Sequence, residues 1–191
     1  MNSTIDTAPK ATFDSRAFRD ALGTFTTGVT VITTVTPEGE KLGTTASSFN
    51  SVSLDPPLVL FSMARNAKAF PAWQQARSFA VNILAEDQDE LSTRFARPLT
   101  DKWSDVIPEH GPVEGLPLLP GALVSMECTS YANYDGGDHI IMVGRVVSFM
   151  RRRPHARPLV FFGSRYRALD KRDDPEAMLG YNAPRETARS Q

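Results

Sequence analysis

The first segment that could do chemistry is rich in hydroxyl groups. Residues 44–53 read Thr-Thr-Ala-Ser-Ser-Phe-Asn-Ser-Val-Ser, in a stretch with the character of a strand. Hydroxyl groups in a strand need hydrogen-bond partners, because a buried polar group without a partner costs free energy. The pattern leaves two kinds of partner open, namely the neighbouring strands or a polar ligand that lies across the sheet.

The second segment carries two cations close together. Arg65 and Lys68 follow a strand expected over residues 58–62 and stand at the start of an expected helix. Free backbone N–H groups at a helix start, together with two positive side chains, suit a phosphate group. The same residues are also typical of a solvated turn, so the sequence leaves both interpretations open.

The third segment is the turn Gly136–His139 between two long runs of strand character. Its two glycines allow the positive φ angles that a tight hairpin turn requires. Asp138 could in addition fix the orientation of the His139 imidazole for contact with a ligand. Hairpin geometry and ligand contact both stay open here.

Several familiar catalytic motifs are missing from the sequence. No Gly-x-Gly-x-x-Gly follows a strand, Gly23–Gly28 lacks the Lys-Ser/Thr of a phosphate-binding loop, and no Gly-x-Ser-x-Gly is found. The histidines His110, His139 and His155 lie far apart, so we expect no metal site. The single cysteine, Cys128, is expected to be a buried, inert thiol.

Composition indicates one globular domain without a nucleic-acid or membrane partner. The 191 residues include 21 Lys+Arg and 22 Asp+Glu, with 41% hydrophobic residues, and this balance argues against nucleic-acid binding. The basic run 151–157 is interpreted as a solvated loop. No stretch approaches the roughly 20 apolar residues of a membrane span, and the first residues lack a secretory signal. We therefore expect a cytoplasmic protein.

The elements that must position these segments are mostly strands. We expect a loose arm over residues 1–12, one domain over 13–169 and a charged tail over 170–191. Helices are expected after Asp14 and over residues 67–75 and 88–95, and a long ordered loop over 97–120. Strands are expected over residues 29–35, 42–52, 58–61, 79–84, 122–134, 139–149 and 159–162, with Asp55-Pro56-Pro57 outside any central ladder. This order favours a mainly β fold, a closed antiparallel barrel with peripheral helices.

Taken together, these segments resemble the short-chain flavin reductases, the reductase components of two-component flavin-dependent monooxygenases. The resemblance spans about residues 18–169. Its motifs are residues 28–34, 45–60, 79–84, 137–139 and 161–166, and their order and spacing are specific. The resemblance implies an FMN-binding split β-barrel of Greek-key type that works as a homodimer, with the flavin near the subunit interface.

The resemblance also implies residue roles. The flavin ring and ribityl chain would be bound by Gly43, Thr44, Thr45, Ser47 and Ser48, and flanked by Ser62, Met63 and Ala64. The phosphate would be neutralised by Lys68, with Arg65, Arg94 and Phe95. The nicotinamide side would be formed by Asp138, His139, Phe162, Gly163, Ser164, Arg165 and Tyr166, with His139 as the catalytic residue. Family members commonly carry Ser or Thr where this chain has Ala67 and Ala69, which gives Lys68 more weight beside Ala69.

The implied activity is that of an NAD(P)H:flavin oxidoreductase, which reduces FMN or FAD with NADH or NADPH and supplies reduced flavin to a separate monooxygenase component. Such a reaction needs no side-chain nucleophile and no metal, because the cofactors carry the chemistry. The alternative is a flavin-binding split-barrel protein without free-flavin reductase activity, either a storage or electron-carrier protein or a bound-flavin oxidase. The Gly-Asp-His turn favours the reductase, since a storage protein needs no nicotinamide face.

Overall fold

A curled antiparallel sheet forms the centre of the computed structural model, which describes residues 12–98, 101–113 and 115–169. The helices are α1 (Ser15–Leu22), α2 (Phe70–Gln75) and α3 (Asp89–Ala96). The strands are β1 (Thr27–Gly28), β2 (Thr30–Val35), β3 (Lys41–Ala46), β4 (Asn50–Leu54), β5 (Pro57–Ala64), β6 (Ser78–Ile83), β7 (Glu109–His110), β8 (Pro117–Leu118), β9 (Val124–Gly136), β10 (His139–Arg151), β11 (Val160–Phe162) and β12 (Arg165–Arg167). The expected mainly β, antiparallel fold with few helices is therefore confirmed.

Seven strands form the main sheet in the order β3-β2-β6-β9-β10-β5-β4, while β1-β11-β12 and β7-β8 form smaller sheets. Successive side chains of a strand point to opposite faces of the sheet, so every second side chain faces the core. Phe61 of β5 and Phe79 of β6 lie in one core cluster. The Phe61 ring meets Phe79 and Trp73 of α2 edge to face, at centroid distances of 5.1 and 5.7 Å. The core thus holds α2 and the end of β5 in a fixed relation.

The main sheet is open, and the prediction of a closed barrel is not confirmed. Strands β3 and β4 lie at opposite ends of the strand order, although only residues 47–49 separate them in the chain. Four residue steps span at most about 14 Å, so the sheet curls until its two edges approach each other at this link. Because residues 47–49 cross between the edges instead of turning back, they pair with neither strand.

The structure also corrects several expected boundaries. The expected strand over residues 42–52 is two strands, β3 and β4. Asp55-Pro56-Pro57, expected outside the ladder, forms the tight β4–β5 turn with a cis Asp55–Pro56 bond, and Pro57 pairs with Leu54. The long loop contains β7 and β8, and β12 follows the last expected strand. Of the expected arm and tail, residues 1–11 and 170–191 lie outside the described residues.

The basic run after β10 is held by ion pairs, contrary to its interpretation as a solvated loop. Arg153 donates two hydrogen bonds to the Asp87 carboxylate, at 2.8 and 3.0 Å, and Arg157 pairs with Glu86 at 3.1 Å. The Arg153 guanidinium holds the pKa of Asp87 below its usual range. The acidic residues that follow β6 supply these partners, and they were not recognised in the sequence.

Two further expectations concern single features. Cys128 is buried, and desolvation raises the pKa of its thiol to about 12, which makes it the inert thiol that was predicted.

The helix expected after Asp14 is α1, and Asp14 accepts hydrogen bonds from the backbone N–H groups of Arg16 and Ala17. In the described part of the chain, every helix is too short or too polar to cross a membrane.

Candidate functional site

The hydroxyl-rich segment contacts the end of β5 through Ser48. The Ser62 backbone N–H donates a hydrogen bond of 2.9 Å to Ser48 Oγ, and the same hydroxyl lies 3.4 Å from Ser62 O. These contacts hold the crossing between β3 and β4 against the strand that carries Ser62, Met63 and Ala64. Met63 is buried in the core, whereas Ser62 and Ala64 are half-buried.

Some hydroxyls of this segment have partners within the protein, and others have none among the described residues. Thr45 Oγ1 donates to Ser92 O in α3 at 2.6 Å, so this hydroxyl is used within the protein. Ser47 is exposed and Thr44 is half-buried, and neither side chain is hydrogen-bonded to another described residue. Thr44 and Ser47 are therefore hydroxyls that a polar ligand can still engage.

Gly43 and Phe95 belong to the packing between β3 and α3. A Cβ atom at Gly43 would lie 2.3 Å from the Phe95 ring, so only glycine leaves room for that ring. Phe95 is completely buried and meets Trp103 edge to face at 5.1 Å. The Phe95 ring thus fills the core space above Gly43, and its role at a phosphate, implied by the resemblance, stays a prediction.

Lys102 is a residue that the sequence analysis missed. Its ammonium group donates to Gly43 O at 3.0 Å and to Phe95 O at 2.7 Å. Burial lowers the pKa of Lys102. The side chain ties β3 to the end of α3, but a lysine in a long loop carries no sequence signal that distinguishes it from a solvated one.

The cations assigned to a phosphate differ in their surroundings. The Lys68 side chain is exposed and makes no contact with another described side chain. Arg65 donates to Gly137 O and Asp135 Oδ1 in the β9–β10 hairpin. Arg94 donates to Ser104 O and lines a shallow cavity with Asp89, Glu90, Thr93 and Arg97. Lys68 is thus the cation of this set with no protein partner in the described chain.

The Asp138–His139 pair lies beside the same end of β5. Gly137 has a φ of +75°, which lets the chain turn sharply into β10. His139 pairs with Ala64, and its Nδ1 atom lies 2.7 Å from Asp138 Oδ1. The hydrogen bond with His139, followed by the charge of that ring, lowers the pKa of Asp138. The side chains are 42% and 92% exposed for His139 and Asp138, so the oriented imidazole is accessible to a ligand.

The β11–β12 hairpin is held against α3. Gly163 and Ser164 form its turn with positive φ angles of 57° and 59°. The Tyr166 hydroxyl lies 2.8 Å from Ser92 Oγ, while Phe162 is 42% exposed. Arg165 is exposed next to this turn. Ser92 is a second missed residue, since it joins both β3 and this hairpin to one turn of α3.

The structure therefore brings the proposed residues together in two groups. Ser47, Ser48, Ser62, Ala64, Lys68, Asp138 and His139 lie around the end of β5. Thr45, Arg94 and the hairpin residues Phe162–Tyr166 lie around α3. Hydroxyls, together with a lysine that has no partner among the described residues, beside an oriented imidazole suit a ligand with polar and anionic parts.

Comparisons with known proteins give this arrangement a family. A family model described as "Flavin reductase like domain" matches residues 22–170. The chain is 47% identical over 153 residues to the FMN reductase (NADH) SmoA of Agrobacterium fabrum, covering 80% of this chain and 85% of that protein. It is 44% identical to the reductase component of the flavin-dependent trigonelline monooxygenase of Acinetobacter baylyi, over 70% of this chain but only 43% of that protein.

A solved structure with the same architecture carries bound ligand fragments. The NADH:FAD oxidoreductase SgcE6 of Streptomyces globisporus, in complex with NAD and FAD fragments, superposes with a TM-score of 0.79 at 36% identity. The match covers 84% of this chain and 96% of that one. The chain thus belongs to the flavin reductase like domain family.

Proposed function

We propose that the protein is an NAD(P)H:flavin oxidoreductase that reduces FMN or FAD and supplies reduced flavin to a separate monooxygenase component. The observation that carries the proposal is the accessible Asp138–His139 pair, held beside the hydroxyl-bearing link of β3 and β4. A protein that only stores flavin has no use for an oriented imidazole at this place. Relatives named as NADH-dependent FMN reductase and as monooxygenase reductase component support the assignment.

The residues around the end of β5 fit a flavin. Ser47 there, and Thr44 in β3 before the link, offer hydroxyls without a partner among the described residues to the ring and ribityl chain. Lys68, also without a partner in the described chain, offers a cation to the phosphate. Ala67 and Ala69 are half-buried against the core and add no hydroxyl to the phosphate, so most of the anion's stabilisation falls to Lys68. Backbone groups of Ser62 and Ala64 flank the same place.

The chain's own contribution to the reaction is alignment. When both are bound, the nicotinamide supplies a hydride and the flavin accepts it. His139 lies at the nicotinamide side and is held in one orientation by Asp138. Holding two reactants in a reactive geometry supplies a large part of such a rate enhancement without a side-chain nucleophile.

The proposed active form is a homodimer. Directly paired residues of a sheet share a face, and this places Leu60 of β5, Ile141 of β10 and Tyr134 of β9 on the face opposite the Phe61 core. Tyr134 is 56% exposed. The same face carries Ser62 and His139, so a second copy packed here would complete the flavin site. The curled sheet would then act as an FMN-binding split barrel of Greek-key type.

The dimer proposal predicts that Leu60→Glu converts the protein to a monomer. A carboxylate in the centre of an apolar interface loses its hydration without gaining a partner. We expect wild-type protein to have twice the mass of one chain by light scattering, and the variant to have the mass of one chain. Leu54→Glu, at a side chain that is 94% exposed, is the matched control and should leave the dimer intact. A monomeric wild-type protein would refute the dimer.

The function itself is tested by steady-state turnover of the purified protein. NADH or NADPH is combined with FMN, FAD or riboflavin under air, and nicotinamide absorbance is followed. We expect turnover that depends on added flavin. Flavin binding by fluorescence quenching without turnover would instead support a flavin-storage protein or a bound-flavin oxidase, and would overturn the reductase proposal.

A further inference from the structure

Arg65 contacts the β9–β10 turn through both its backbone and its side chain. Its backbone N–H donates to Asp138 O at 3.0 Å, and its side-chain Nε donates to Gly137 O at 2.9 Å. The guanidinium also pairs with Asp135, at an N–O distance of 2.5 Å, and lies over the Phe70 ring at 6.0 Å. The Arg65 side chain therefore binds the hairpin at Asp135, before the turn, and at Gly137, within it.

The turn needs such a restraint. Two successive glycines, Gly136 and Gly137, give the backbone more freedom than other residues would. The pairing of His139 with Ala64 is also the last between β10 and β5, so no further strand contact stabilises the turn on that side. Without the Arg65 side chain, the turn would be held only by backbone contacts, namely the pairing of His139 with Gly136 and Ala64 and the hydrogen bond from the residue 65 N–H to Asp138 O.

Arg65 and Lys68 differ in whether an acidic side chain is paired with them. The charge of Arg65 is offset by Asp135, whereas Lys68 is exposed and faces no described acid. The hairpin uses the Nε and one terminal nitrogen of Arg65, so a phosphate would share this guanidinium with Gly137 and Asp135. The two cations are three residues apart, and Lys68 can bind an anion without competing with the turn.

We propose that Arg65 is a positioning residue for the Asp138–His139 pair and not a ligand of the flavin phosphate. The proposal rests on the proposed reductase function, because it assigns His139 to the nicotinamide side. Arg65 acts through the hairpin and touches neither reactant. Since a small displacement of an aligned group lowers a rate strongly, loss of Arg65 should affect nicotinamide use and leave flavin affinity unchanged.

The test compares Arg65→Met with Arg65→Lys, Asp135→Asn and Lys68→Met. Stopped-flow flavin reduction gives the apparent Kd for NADH and the limiting rate, and fluorescence quenching gives the Kd for FMN and for riboflavin. We expect Arg65→Met to lower the NADH efficiency roughly tenfold, with Kd for FMN within about twofold of wild type. Asp135→Asn should show a smaller loss in the same direction, and Arg65→Lys a partial rescue.

Two controls define the phosphate effect and the effect of losing an arginine. Lys68→Met should raise Kd for FMN by about tenfold and leave Kd for riboflavin unchanged, since only FMN carries the phosphate. Arg77→Met removes an exposed arginine from the loop after α2 and should change neither the Kd for FMN nor the apparent Kd for NADH. The Arg65→Met/Asp135→Asn double variant should be no worse than Arg65→Met alone, because both changes remove one contact.

The results separate the possible errors. If Arg65→Met raised the Kd for FMN and left the Kd for riboflavin unchanged, Arg65 would be a ligand of the phosphate and the proposal would be overturned. Unchanged NADH kinetics in both Arg65→Met and Asp135→Asn would overturn it as well. If wild-type protein does not oxidise NADH, the proposed function fails instead. The positioning role of Arg65 is then tested by the NMR chemical shifts of the His139 ring, which Arg65→Met must change for the inference to stand.

Discussion

Replacing His139 with alanine is expected to lower kcat/KM for NADH by roughly 10- to 100-fold, while Kd for flavin stays within about twofold. His139, at the start of β10 and beside the end of β5, is half-exposed, and its Nδ1 atom is hydrogen-bonded to Asp138. The imidazole can therefore contact a nicotinamide without contributing to the hydroxyl and cation contacts of the flavin. Stopped-flow reduction at varied NADH concentration, with flavin binding measured separately, checks this split.

Two further variants test the assignment to His139. His110→Ala removes an exposed histidine of β7 in the long loop and should leave all kinetic constants unchanged. Asp138→Asn removes the carboxylate that orients the ring and should give a smaller loss than His139→Ala. An unchanged reduction rate and unchanged NADH saturation in His139→Ala would show that the ring has no part in nicotinamide use.

The strands could be predicted where a run of apolar residues ended in turn chemistry. Gly137 and Asp138 marked the β9–β10 turn, and the apolar run around Phe61 marked β5. The division of residues 42–52 into β3 and β4 could not be predicted, because hydroxyl-bearing residues suit both a continuous strand and a crossing link. The separation of β3 from β4 depends on how the sheet curls, and the sequence does not indicate which strands lie at its edges.

The site was predicted as a set of residues but not as a set of contacts. Arg65 and Lys68 have the same charge and lie three residues apart, yet among the described residues Arg65 is paired with an acid and Lys68 is not. The resemblance places Phe95 at the phosphate together with Arg94, whereas in the fold the Phe95 ring is buried and Arg94 is half-buried, because neighbouring residues of a helix point in different directions. Ser92 was missed because one buried serine in a helix has no distinguishing pattern, and its importance comes from two distant partners.

Asn82 shows that a motif residue can serve the fold instead of the site. It lies within residues 79–84, a motif of the family, and its side chain is completely buried. Its Nδ2 group donates to Val31 O and Thr33 Oγ1, at 3.1 and 3.2 Å. Its Oδ1 atom accepts hydrogen bonds from Leu119 N and Ser125 Oγ, at 3.0 and 3.1 Å. The amide thus joins β2, β6, β9 and the end of the long loop.

Replacing Asn82 with leucine is therefore expected to lower the free energy of unfolding by about 2–4 kcal/mol, because it leaves several buried polar groups without partners. For a domain of this size that corresponds to a fall in Tm of roughly 10 °C. Urea unfolding followed by circular dichroism, together with a thermal melt, measures both quantities.

Matched changes distinguish the lost hydrogen bonds from a general effect of the substitution. Asn133→Leu makes the same change at an exposed asparagine of β9 and should leave the unfolding midpoint nearly unchanged. Asn82→Asp keeps the acceptor for Leu119 and Ser125, but it loses both donors and buries an unpaired charge, so it should destabilise at least as strongly as leucine. If Asn82→Leu unfolded at the wild-type midpoint, the buried polar network would contribute nothing net, and packing alone would hold the long loop against the sheet.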